Sequence, residues 1–155
     1  MYYEATQLIK TIAEQTGLIT TVTLGDFNSI DTKRQTLFPL LHVVPIGFVV
    51  DGSIVTYNYT LYFCDLVDYN KENLYTEPNP YWGTDNTIDV HNQMSLAAML
   101  FIDKINRGDS YDENFRISQS NTGTLFSNRL ENLLSGVQMD ISITTPSSSV
   151  TDGIC

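Results

Sequence analysis

The strongest constraint in this chain is a pair of β runs joined by Asp51-Gly52. The second run, GSIVTYNYTLYFCDLVD (52–68), alternates without a break. Val55, Tyr57, Tyr59, Leu61 and Phe63 fall on one side, and Thr56, Asn58, Thr60, Tyr62 and Cys64 on the other. Period two over that length predicts a strand with an apolar core face and a polar outer face. The first run, TLFPLLHVVPIGFVV (36–50), is apolar and β-branched but contains Pro39 and Pro45. Proline has no N–H for a ladder, so this strand should be bulged, kinked or at an edge. Asp-Gly between two β runs is a hairpin turn signal.

Helical periodicity flanks the hairpin. In residues 3–16, Ala5, Leu8, Ile9, Ile12 and Ala13 form one stripe, and Gly17 fits the stop. Residues 18–26 are expected to form a short β segment ending at Gly25-Asp26, followed by a polar loop over 28–36. Residues 88–108 give a second helix, capped by Thr87 or Asp89. Its apolar stripe is Val90, Met94, Ala97, Ala98, Phe101, Ile102 and Ile105. A short strand is expected around 115–117. Residues 122–136 fit a helix or a bent strand equally well. In 137–145, Val137, Met139, Ile141 and Ile143 alternate onto one face. The resulting order, α-β-β-β-α-β-β, predicts an α+β fold with a mainly antiparallel sheet and helices on one face. The chain of 155 residues has the length of a single domain, 1–155. The exceptions are a long loop over 69–87 and a polar tail over 146–155. A loop of that length in a compact domain is usually functional.

Charge excludes some functions. Eighteen acids against eight bases give a formal charge of −10, which argues against gripping a phosphate backbone. Charged residues make up only 17%, below the usual quarter or so. Thr, Asn and Ser fill the difference, and such a surface suits a protein that packs against others. No basic n-region with an apolar h-region opens the chain, and no run approaches the ~20 apolar residues of a membrane-spanning helix. With two cysteines, Cys64 and Cys155, no disulfide framework is indicated. These features predict a protein made in a reducing cytoplasm, without a membrane partner.

Chemical motifs are sparse. Phosphate-cradling glycine patterns, H-E-x-x-H and C-x-x-C are all missing, so no cofactor or metal is expected. Asp89 and His91 are two apart on a helix and do not face the same way. Cys64 with His42 or His91 as base would make a small thiol hydrolase, the enzymatic rival. Neither a glycine elbow nor a helix start lies beside Cys64 to lower its pKa. A small residue on the strand's second face is the simpler account, with Asp65 and Asp68 keeping the strand's exit wet. No catalytic residue is therefore expected.

Five stretches together resemble a family of small tailed-bacteriophage proteins: tail terminator, tail completion or neck proteins. They are LIKTIAEQTGLITTVTLGDFNSID, TLFPLLHVVP, GSIVTYNYTLYFCDLVD, IDVHNQMSLAAMLFIDKI and NRLENLLSGVQMDISITTP. They are similar to the family's opening helix and Gly-Asp turn, its proline-marked strand, its long strand, its second helix and its glycine-containing hairpin. Two features depart from the family. The 69–87 loop, with Pro78 and Pro80, is longer than the usual linker, and the end SSSVTDGIC has Asp152 and Cys155 but no Arg.

The resemblance implies a tail-terminator-like fold and a non-enzymatic virion protein at the head–tail junction. Its partners would be itself, as a closed ring (a hexamer, or alternatively a dodecamer), the tail tube, and neck, connector or portal proteins. DNA would meet it only in transit through an acidic lumen. The alternative within this class is an adaptor-like ring beneath the portal of a short-tailed phage. A closed ring needs complementary edges, for which the strand 37–45 and the hairpin at 51–53 are candidates. Phe38, Tyr62, Tyr69, Lys71, Tyr75, Tyr81, Trp82, Asp152 and Cys155 are the expected partner contacts.

Overall fold

The computed structural model describes residues 2–26, 38–66, 87–107, 115–117, 121–128 and 134–146. In chain order the elements are α1 (Tyr2–Gln15), β1 (Thr21–Leu24), β2 (Leu40–Asp51), β3 (Ile54–Leu66), α2 (Thr87–Arg107), β4 (Arg116–Ile117), β5 (Gly123–Asn128) and β6 (Leu134–Pro146). The expected α+β class is present, and the expected order α-β-β-β-α-β-β is found with one further strand, β5. The stretch left open between helix and bent strand supplies β5 and the start of β6. Leu125 and Phe126 lie in the first and Leu134 in the second.

The sheet runs β1-β2-β3-β6-β4, with β5 pairing a different part of β6. Every pair is antiparallel except β1 with β2, which align Thr21 with Leu40 and Leu24 with Val43. A parallel pair needs a crossover rather than a tight turn, and residues 25–39 separate these two strands. The Asp51-Gly52 hairpin forms as expected, with Asp51 opposite Ile54 and Gly52 at φ 59°. Pro45 also acts as expected, because the β2–β3 register shifts between Pro45 and Gly47.

One face of the sheet carries the main core. Val55, Tyr57, Tyr59, Leu61 and Phe63 of β3 are all buried, beside Leu41 and Val43 of β2 and Val137, Met139, Ile141 and Ile143 of β6. Both helices cover this face. Ala5, Ile9, Ile12 and Ala13 come from α1; Val90, Met94, Ala97, Ala98, Phe101 and Ile105 come from α2. Phe63 and Phe101 meet edge to face at 5.8 Å, joining sheet to helix at the centre.

The other face departs from the simple polar expectation. Cys64 and Leu40, paired across β2 and β3, are buried there with Phe38, Phe126 and Leu134, and Tyr62 and Leu66 pack against them. Period two identifies that Tyr62 and Cys64 share a face. It does not show that residues from four separate segments converge to cover it.

In the β3–β6 pair, Gly136 lies opposite Cys64. A Cβ there would collide with the carbonyl oxygen of Phe63 and lie 2.8 Å from the Cα of Cys64. At Gly47, by contrast, a Cβ would meet nothing within 4 Å. Gly136→Ala should therefore destabilise the fold by at least about 1–3 kcal/mol, because backbone cannot step aside as a side-chain tip can. Gly47→Ala should leave stability within about 0.5 kcal/mol of wild type. Urea midpoints of the two variants check the contrast.

Candidate docking surface

In the distal half of the β2–β3 hairpin, β2 is exposed although the facing part of β3 is buried on its core side. Leu40 to Val43 of β2 are buried, Val44 is intermediate, and Pro45 to Asp51 are exposed. The change coincides with the end of β1, whose last residue, Leu24, lies opposite Val43. Among the described residues no strand pairs with the outer edge of β2 past that point.

The bulge determines which side chains are left outside. Before it, odd-numbered Leu41 and Val43 share a side with Phe63 and Leu61. After it, Phe48 pairs with Tyr57 and Val50 with Val55, so even-numbered residues take over the core-facing side. Phe48 and Val50 thus stand on the face that α1 and α2 cover elsewhere, yet they are 67% and 62% exposed. Ile46, Val49 and Ile54 are exposed as well, so both faces of the hairpin tip are apolar. A strand apolar on both sides has the composition of one buried on both sides.

A groove of about 590 Å³ opens beside these residues. It is lined by Tyr2 of α1, Pro45 to Phe48 and Val50 of β2, and Val55 and Tyr57 of β3. Aromatic rings floor it in series. Tyr2 stacks on Tyr59 at 6.2 Å and tilts against Tyr57 at 5.8 Å, and Phe48 lies 6.3 Å from Tyr57. The Tyr59 hydroxyl and Thr6 Oγ1 are 3.2 Å apart, tying α1 to β3. Burial pushes the Tyr59 phenol up to about 12. Tyr57 also rises, through burial first and then the charge of Glu4. Both phenols are neutral near pH 7, so the groove floor carries no phenolate charge.

Behind the hairpin the second sheet face is a polar ladder. Thr56 and Thr144 hydroxyls lie 3.3 Å apart, Ser142 Oγ donates to Asn58 Oδ1 at 2.7 Å, and Thr60 Oγ1 donates to Asp140 Oδ1 at 2.7 Å. These are directly opposed pairs of β3 and β6. Cross-strand pairs of this kind stabilise a sheet by roughly 0.2–1 kcal/mol each, and they fix β3, the hairpin's inner strand, to β6.

The residues singled out from sequence are distributed unevenly. Phe38 is buried in the second cluster, so its expected place at a partner surface is corrected: its ring is used internally. Tyr62 is half-buried and packs edge to face on Phe126 at 5.9 Å. Tyr69, Lys71, Tyr75, Tyr81, Trp82, Asp152 and Cys155 lie outside the described residues. Of the candidate edges, 40–43 is taken by β1, and the edge left open is 45–51. Tyr2, Ile46, Phe48 and Val50 were not singled out in the sequence. The signal for Ile46, Phe48 and Val50 was present in VVPIGFVV, an apolar run with no alternation.

The Cys64–histidine pair of the enzymatic rival is not assembled. Cys64 is fully buried, its Sγ donates to Leu40 O at 3.6 Å, and burial drives its pKa far upward, with the charge of Asp65 adding to the effect. His91 Nε2 donates to Phe126 O at 2.8 Å, fastening α2 to β5. His42 Nε2 lies 2.9 Å from Gly25 O and 2.8 Å from Asp26 O, and Nδ1 lies 2.6 Å from Thr23 Oγ1. Carbonyls only accept, so Nε2 carries the proton and Nδ1 accepts from the threonine. Among the described residues no group of three His, Cys, Asp or Glu could hold a metal ion. No helix among them is long and apolar enough to cross a membrane. No protein-family model and no curated protein matches the chain.

His42 gives the fold a pH dependence of defined sign. Burial lowers its pKa below 6.5, against the raising effects of the Asp26 and Gly25 carbonyls and the Asp26 charge. The unfolded chain therefore takes up a proton at a higher pH than the folded one. The imidazole's contribution is fully present above about 6.5 and is lost as pH falls from there toward the folded value. His42→Asn should be less stable than wild type at pH 7.5, by about 1–2 kcal/mol for the lost buried hydrogen bonds. The gap should narrow at pH 5.5, as read from paired denaturation curves.

Proposed function

We propose that this chain is a structural protein of a tailed-bacteriophage virion, a tail terminator or neck protein that closes into a ring at the head–tail junction. It caps the tail tube, joins it to the connector and lets DNA pass. It works by docking and not by catalysis. The observation that carries the reading is the exposed segment 45–51 of β2 with Ile54 beside it, apolar on both faces. A monomer gains nothing from that surface, which leaves about 25 cal/mol per Å² of apolar burial unrealised, whereas an assembling subunit recovers it. The resemblance of five stretches to terminator and neck proteins supports this assembly, and the net charge of −10 suits a lumen that DNA must traverse without sticking. In this reading the subunit is made in the host bacterium and ends in the virion.

The experiment is a mass measurement at several protein concentrations, alone and after mixing with tail-tube, neck and portal proteins of the same phage. A ring, a hexamer in the favoured form, is expected in at least one mixture. A monomer under every condition would sink the proposal. Phe48→Asp should keep the wild-type circular dichroism spectrum, since the side chain is mostly exposed. It should weaken assembly at least about 30-fold, the loss of one buried aromatic anchor.

A further inference from the structure

We propose that the hairpin groove of one copy receives the outer stripe of α2, Leu96 and Met99, from a second copy, joining neighbours head to tail. The inference rests on the ring reading and names the contact that would build the ring.

The stripe is defined by what α2 buries. Val90, Met94, Ala97, Ala98, Phe101 and Ile105 point at the sheet. At 100° per residue, Ile88, Leu96 and Met99 share the opposite side, and they are 48%, 47% and 63% exposed. Leu96 and Met99, at i and i+3, have the spacing by which a helix anchors in a groove. Methionine adapts to an irregular floor such as the one made by Tyr2, Phe48 and Tyr57.

The two surfaces cannot meet within one chain. The groove is built on the core-facing side of the sheet beside the first residue of α1, and the stripe points away from that sheet. Matching patches on different sides of one molecule give a heterologous contact, which is the kind that closes into rings. Area supports a second copy as the occupant. Of the groove's lining, Tyr2, Ile46, Phe48 and Val50 leave on the order of 450 Å² exposed, about half of the roughly 800 Å² that each partner brings to a stable interface.

Charge also supports it. Copies with a net charge of −10 repel one another, yet residues 43–64 hold a single charged side chain, Asp51, and residues 90–102 hold no Asp, Glu, Lys or Arg. The two surfaces are where like-charged copies can approach most closely.

The test uses Phe48→Asp and Met99→Asp in the full chain, with native mass spectrometry under conditions where wild type assembles. Each variant alone should be monomeric. An equimolar mixture should form a dimer and stop there, because one groove and one stripe remain intact between them. As a second measurement, Val50→Cys with Met99→Cys in one chain, on a Cys155→Ser background, should give a ladder of linked copies with a short bis-maleimide. Rings from Met99→Asp as readily as from wild type would overturn this contact and leave the ring reading standing. So would a mixture that remains monomeric, or linked dimers from Val50→Cys alone, the mark of two hairpins pairing with each other. Wild type that stays monomeric with every tail and portal component removes the ring reading itself, and this contact with it.

Discussion

Strand β3 is paired along nearly its whole length on both sides, with β2 from Ile54 to Cys64 and with β6 from Ile54 to Leu66. The rest of the structure depends on that double pairing. It satisfies the backbone of the central strand, and it fixes the register that presents Val55, Tyr57, Tyr59, Leu61 and Phe63 to the helices as one surface. A slip by one residue would turn Thr56, Asn58 and Thr60 inward and remove the floor on which α1 and α2 sit. Gly136 shows how close the pairing is, since no side chain fits between β6 and the Phe63 carbonyl.

The outer strand of the hairpin, β2, outruns its cover. The helices bury the sheet up to about Val55 and Tyr57, and β1 lines the edge of β2 only as far as Val43. The bulge at Pro45 then turns Phe48 and Val50 onto the helix side, where nothing among the described residues covers them. The polar ladder of Thr56, Asn58 and Thr60 against Thr144, Ser142 and Asp140 locks β3 to β6 along the same length. A firm scaffold therefore supports an apolar tip, as a docking element requires. The histidines serve the scaffold as well: His42 fastens the Gly25-Asp26 turn to β2, and His91 fastens α2 to β5.

Much of this was legible in the residues. The stripe from Val90 to Ile105, the alternation from Val55 to Phe63, the Asp51-Gly52 turn and the break at Pro45 each act over a few neighbours, so local pattern suffices. The second cluster was not legible, because Phe38, Leu40, Cys64, Phe126 and Leu134 come from segments far apart in the chain. Phe38 illustrates the limit: an aromatic before a proline looks available to a partner until Leu134 and Phe126 are brought to it. The docking surface was half legible. The apolar run VVPIGFVV signals burial on both faces, but nothing in it says that Ile46, Phe48, Val49 and Val50 stay exposed in the subunit.

By itself, the sequence determined both helices, the central hairpin, their apolar faces and the register break, because period, turn chemistry and the missing proline N–H are local properties. It also determined a charge balance unsuited to gripping nucleic acid. Only the tertiary structure decided which apolar residues remain wet. Exposure depends on where β1 stops and how far the helices reach, and those are set by packing between segments that the linear pattern does not connect.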